Sequence, residues 1–503
     1  MLAWWLAWAC LVGVTRAFCP TVCNCDDSVP SARCVGVSFN VVPILFNPGL
    51  RRLNLAHNTI DSVGGALVFF DRLEELDLSH NMLTSLDTGN LEAQAQLQEL
   101  RLAHNNLTTM LPGAFKGLVS LNLLDLSHNG MTDLPAKVLD DVPSLTVLLL
   151  AHNKLHFLAE YTFRGLRGLH VLDLCDNYFR HVPSSALDDL KSLKSLHLCR
   201  NRLTRLDSEA FTTKTLTSLS LETNNIDNVS DSAFQRLHRL QKLNLNDNLL
   251  REVPVNILST LRVLDSLILS KNNFTTVEAD AFHSQSRLAS LEISRCPRLA
   301  SLHPEALSHC NNLQRLTISH NPLIRHLPET LLTSLTRLHT LDLRANSLQS
   351  VPETSMPWGS LVRLDLRDNV LVCNCSIRWL AALLSASNTS LAAPDIQCAS
   401  PDKLKGLYLS RLSPSELLCV DQVQVVVGIV VVTVSTVLLM ALSVLLCRYR
   451  RRHQRDKLGR GWPPGPLAPW PPDDHSAPTR HIMADEYVYH TYSSVRKIPV
   501  TKV

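Results

Sequence analysis

Leucine returns along this chain at a fixed interval. The template L-x-x-L-x-L-x-x-N-x-L begins at Leu50, Leu73, Leu97, Leu121, Leu145, Leu169, Leu193, Leu216, Leu240, Leu264, Leu288, Leu313, Leu338 and Leu361, and most steps are 24 residues. A period of that length marks a solenoid, in which each coil is a structural unit stacked on its neighbours. In the coil starting at Leu145, Leu148 and Leu150 alternate inward along a short strand, and Leu145, Leu148, Leu150 and Leu155 fill one layer of core. Asn153 ends the strand. Its amide both donates and accepts, so a column of such residues can satisfy backbone groups in neighbouring coils. The pattern predicts an α/β solenoid with a curved parallel sheet on its concave face, its fourteen strands spanning roughly 60–70 Å at about 4.8 Å each.

One coil departs from the template. The eleventh reads Leu288, Leu291, Ile293, then Cys296-Pro297-Arg298-Leu299, with Cys in the Asn column and one extra residue before the next apolar position. A local change of curvature is expected near residues 293–325.

Two apolar runs lie outside the repeats. Leu2 to Val14, followed by Thr15-Arg16-Ala17, reads as a secretory signal over residues 1–17. Val425 to Leu446 is uncharged and long enough to cross a hydrocarbon core as a helix, assigned to residues 423–447. Arg448, Arg450, Arg451, Arg452, Arg455 and Lys457 follow it, which by the positive-inside bias places the C-terminus in the cytoplasm. The remaining order is an N-terminal cysteine cap at 18–49, repeats at 50–372, a C-terminal cysteine cap at 373–420 and a disordered cytoplasmic tail at 448–503. The expected location is the plasma membrane, single-pass, with the N-terminus outside.

Of 14 cysteines, Cys10 lies in the signal and Cys447 at the inner membrane edge, where it is a candidate for palmitoylation. The other twelve face an oxidising compartment. Cys19, Cys23, Cys25 and Cys34 precede the repeats; Cys373, Cys375, Cys398 and Cys419 follow them. Sequence alone leaves three pairings open in each cap. Cys175 and Cys199 hold the same place in consecutive repeats, and Cys296 and Cys310 bracket the irregular one. Both pairs are open between a bridge and free thiols.

Template positions three, five, seven and eight face out on the concave side. Position eight is His in five consecutive repeats, His57, His80, His104, His128 and His152, and again at His320. A pH sensor or metal ladder is one reading. The favoured one is that Ser-His-Asn and Ala-His-Asn are ordinary spellings of the repeat. Leu123, Val147, Leu149 and Val171 make positions three and five apolar mid-chain, a candidate partner surface set against plain strand preference. Asn106, Asn228, Asn273, Asn374 and Asn388 begin N-x-S/T sequons, with Asn374 doubted because it lies between two cap cysteines. In the tail, Arg460, Pro463 and Pro466 fit an SH3 ligand, Tyr487, Tyr489 and Tyr492 are tyrosine-signal candidates, and Thr501 with Val503 forms a PDZ-type terminus.

The net charge of +3 points to no polyanion, and no nucleic-acid partner is expected. No phosphate loop, nucleophile–base set or metal cluster is legible, so no enzyme, cofactor or metal is expected. The whole plan resembles extracellular leucine-rich-repeat adhesion receptors, and more narrowly the tartan and capricious group of arthropods. The repeat number, the two cysteine clusters with Trp379-Leu380 after the second C-x-C, the Cys296-Pro297-Arg298-Leu299 repeat and the short tail carry the resemblance. Asn369-Val370 departs from the usual Asn-Pro of the last repeat. The resemblance implies cap disulfides Cys19–Cys25, Cys23–Cys34, Cys373–Cys398 and Cys375–Cys419. It also implies cell–cell recognition of a protein partner, homophilic or heterophilic, in neural or tissue-boundary development. An innate-immune or growth-factor-type receptor or co-receptor is the alternative.

Overall fold

The computed structural model describes residues 19–385, 391–393, 395–413, 415–417 and 422–458. The signal, Asn388, Cys419 and every tail motif beyond residue 458 lie outside these. The chain divides into two units at residue 419, described in turn.

The first unit is a leucine-rich-repeat solenoid built on one 16-stranded sheet. Its first strand, Asn24–Asp26, pairs antiparallel with Ser31–Arg33, which then pairs in parallel with Arg52–Asn54. Fourteen three-residue strands follow from Arg52–Asn54 to Arg363–Asp365, one per repeat and all parallel. Each presents its template leucine to the core, so Leu53, Leu76, Leu100, Leu124 and Leu148 are fully buried or nearly so. A second buried column runs along the convex side through Phe70, Phe115, Phe163, Phe211, Phe234 and Phe282. The sequence reading did not single out these aromatics.

The Asn column works as its chemistry suggests. Asn153 donates to the carbonyls of Leu126, Leu150 and Ala151 and accepts from the Met131 amide. The same set recurs at Asn81, Asn105, Asn129 and Asn177. Cys296 breaks it. Its thiol reaches toward the Leu269 and Ser294 carbonyls, and among the described residues no side-chain oxygen receives the Phe274 amide. The concave sheet is nonetheless continuous here, with Leu267, Leu291 and Leu316 paired in register, so the extra residue is taken up outside it.

Both ends of the solenoid are covered. Disulfides join Cys19 to Cys25 and Cys23 to Cys34 at one end, and Cys373 to Cys398 at the other. Cys375 is exposed, and its expected partner Cys419 lies outside the described residues. A helix at Arg378–Ser385 brings Trp379 against Trp358, 5.0 Å between ring centroids. Of the two states left open for Cys296 and Cys310, the structure has the unbridged one: both are buried free thiols. Cys296 sits in the Asn column at the concave edge, whereas Cys310 fills a core position three residues before Leu313, where its amide bonds the Leu307 carbonyl.

The second unit is one helix, Gln422–Leu458, of which Val426–His453 is long and apolar enough to cross a membrane. The helix runs on through Arg448, Arg450, Arg451 and Arg452, which corrects the expectation of an unstructured tail from residue 448. Arginine is a good helix former, and a helix already closed by 26 apolar or neutral residues extends through such a run at little cost.

Candidate functional site on the concave face

Strand register decides what the concave face presents. Leu123 pairs with Val147, and Val147 with Val171, giving a row of three half-buried apolar side chains across repeats four to six. Leu149 stands in the parallel row between Asp125 and Asp173. The four residues expected to form one patch are therefore an apolar row with a single leucine beside it, flanked by carboxylates. Asp125 accepts from the amide and hydroxyl of Ser127, and Asp173 accepts from the Cys175 amide. Both are thus held in place rather than free to cover the apolar row.

Beside Leu149 the face has a pocket of about 390 Å³ lined by Leu149, His128, His152, Asp173, His197 and Arg200, and by Cys175 and Cys199. The two cysteines are joined by a disulfide between adjacent strands. Asp173, Cys175 and His197 bring one ligand atom each to within 4.8 Å of one another. The sulfur is committed to the disulfide, which leaves this trio without a thiolate to offer a metal. Sequence reasoning missed the trio; the paired spellings Asp173-x-Cys175 and His197-x-Cys199 were the available signal.

The histidine row has a geometry that the sequence did not announce. The rings of His57, His80, His104, His128 and His152 stack face to face, 3.9–4.0 Å apart and 10–13° from parallel. Position eight holds a left-handed backbone in every repeat, with φ between 49° and 58°, whichever residue occupies it. Histidine tolerates that region better than most side chains, which is the physical content of the common spelling. The His57 amide donates to the Ser79 carbonyl and the His80 amide to that of Ala103, so each ring is pinned over the next. Stacked rings hold their nitrogen lone pairs parallel rather than convergent, which suits them poorly to chelate one ion. The imidazoles of His80, His104 and His128 are held below the ordinary value of 6.5, first by burial and then by neighbouring histidines. Asp77 opposes this at His80, as do Asp125 at His104 and Asp125 with Asp176 at His128. At the end of the row, His152 Nε2 lies 3.3 Å from Asp176 Oδ2, and Arg200 approaches the same carboxylate at 3.6 Å. His320 stands apart from this stack, in the twelfth repeat.

The sequon residues sit at the solenoid surface. Asn106 and Asn228 are exposed and Asn273 is half-buried. Asn374 is exposed, with its side-chain oxygen accepting from the Ser376 amide and hydroxyl. Cys447 is exposed on the apolar helix.

A family profile described as leucine rich repeat matches residues 71–131, 95–155, 143–198, 191–250 and 262–323. Among curated proteins, the chain is 30% identical over 133 residues to leucine-rich repeat and fibronectin type III domain-containing protein 1 of Danio rerio, covering 24% of this chain and 22% of that protein. It is 27% identical over 228 residues to the leucine-rich repeat transmembrane protein FLRT2 of Rattus norvegicus, covering 41% and 34%. The matched part is thus about a third of the one relative's length and under a quarter of the other's. Among solved structures, Toll in the Drosophila Toll–Spatzle complex aligns with a TM-score of 0.57 at 21% identity, over 74% of this chain and 61% of that one. The TLR13–ssRNA13 complex aligns at 0.56 and 23% identity, over 75% and 54%. At these identities the two structures share the fold with this chain.

Proposed function

We propose that this leucine-rich-repeat protein is a single-pass cell-surface receptor that recognises a protein partner through the concave face of repeats four to six. The observation that carries the reading is the in-register row of Leu123, Val147 and Val171 beside Leu149, an apolar strip framed by fixed carboxylates and a pocket. An apolar centre with a polar rim is the usual anatomy of a protein interface. A nucleic-acid partner fits less well, because the concave arginines further along are matched by acids, Arg344 with Asp342 at 3.2 Å and Arg367 with Asp365 at 2.7 Å.

In this reading the chain lies in the plasma membrane with its repeats outside, as the basic run after Leu446 favours. Its role is cell–cell adhesion and recognition, in keeping with the resemblance to the tartan and capricious group in neural or tissue-boundary development. Sugars at Asn106, Asn228, Asn273 and Asn388 would keep the other surfaces wet. The tail would report through PDZ or SH3 adaptors and phosphorylated tyrosines. The second reading is an innate-immune or growth-factor-type ligand-binding receptor or co-receptor, a role that the fold shared with the Toll–Spatzle complex structure would also serve.

The test uses cells displaying the full chain, mixed with each other and with a panel of cells displaying other surface receptors. Adhesion is expected with at least one population. Leu149→Asp, which sets a third carboxylate between Asp125 and Asp173, should lower it at least tenfold at equal surface level, and Leu149→Asn should lower it less. Full adhesion by Leu149→Asp removes the patch from the reading.

A further inference from the structure

We propose that the five-histidine stack is an acid-operated release for the partner held on the concave face, an inference that rests on the partner site proposed above. The stack and that site share a wall. His128 and His152 line the same pocket as Leu149, and the stack reaches back from there through His104 and His80 to His57. Neutral imidazoles stack stably face to face. Protonated ones at 4.0 Å repel, and although four of the five rings are exposed, solvent weakens the repulsion at that separation without removing it.

The groups that face the stack set its response. Asp77, Asp125 and Asp176 favour the charged form from the concave side, and Arg200 competes for Asp176 at the far end. Burial and the neighbouring rings oppose charging, and they prevail at His80, His104 and His128. The sign follows. The folded stack favours neutral rings, so its contribution is complete above the ordinary value of 6.5 and is lost as pH falls through that value toward the lowered ones. Each backbone amide in the row is tied to the next repeat, so the rings can part only by swinging out of the row. At His128 and His152 that motion displaces the pocket wall beside Leu149. A partner packed there at neutral pH would be let go in an acidic compartment.

Two measurements on the full chain test this. The first is the rate at which diethyl pyrocarbonate modifies each histidine, read by peptide mass spectrometry across pH 5–8. The reagent attacks neutral imidazole, so His80, His104 and His128 should stay reactive at pH values where an isolated histidine is charged. Midpoints at or above 6.5 for all three would overturn the proposal. The second is adhesion between displaying cells, formed at pH 7.4 and moved to pH 5.5. At least a fivefold loss is expected, and a clearly smaller one in the His80→Asn/His104→Asn chain, which shortens the stack while leaving the pocket-lining His128 and His152 in place, since Asn also accepts the left-handed backbone. Equal acid loss in that variant, at equal surface level, removes the stack as the cause. Intact adhesion at pH 5.5 in the natural sequence removes the release alone. No adhesion at neutral pH removes the partner site, and the release with it.

Discussion

Single residues decide how well neighbouring coils hold together. Asn153 satisfies four backbone groups across two repeats, so Asn153→Ala should cost about 2–4 kcal/mol, read as a lowered urea midpoint of the solenoid. Cys296 does much less in the same column, and Cys296→Ala should cost under half as much. The buried thiols are chemically quiet: burial pushes Cys296 up to about 11 and Cys310 up to about 12. Neither should be alkylated by iodoacetamide at pH 8 until the repeats unfold, as peptide mapping will show. Gly117 is a third case. Its φ is +95°, and a Cβ there would lie 2.4 Å from the Glu92 carbonyl oxygen of the preceding repeat. Gly117→Ala should destabilise by about 1–3 kcal/mol. The Asn column was plain in the sequence because it repeats a residue type. The Gly117 contact was not, because it depends on how closely two convex turns approach.

At the scale of the element, the strand is short and the turn after it carries the distinctive chemistry. The sequence located all fourteen strands, since Leu-x-Leu spacing and strand periodicity coincide. It also placed Cys175 beside Cys199, because equal template positions become cross-strand neighbours. What it did not yield is the left-handed residue at position eight. Nothing in the spelling of His, Asp, Arg, Thr, Lys or Ala there marks a shared backbone state, and only that state turns a row of histidines into a stack. One consequence concerns stability apart from any partner. With three imidazoles held low, the unfolded chain takes up more protons than the folded one below 6.5. The thermal midpoint should fall between pH 7.5 and 5.5, and fall less in the His80→Asn/His104→Asn/His128→Asn chain. The apolar helix shows the opposite limit: its span was legible from composition, whereas its continuation to Leu458 was not, because charged residues break a hydropathy pattern without breaking a helix.

In the first unit as a whole, each coil touches chiefly the coils on either side. Among the fourteen repeat strands, partners lie 23 to 25 residues apart, so every interface between repeats has the same bonds with small variations. Such an array gains its stability by summing neighbour terms rather than by one central core. The sixteen-stranded sheet with its covered ends can therefore be shortened by whole units. Excising residues 145–168 would bring Val171 beside Leu123, close the sheet by one strand and keep the Cys175–Cys199 bridge. That chain should reach the cell surface folded, whereas loss of residues 145–156 alone should not, and protease resistance of the displayed chain will separate the two. The shortened protein would lack Val147, Leu149 and His152 together. Architecture and address are thus written in separable units: a whole coil can be edited out, taking its share of the recognition surface with it, while the scaffold rejoins across the gap.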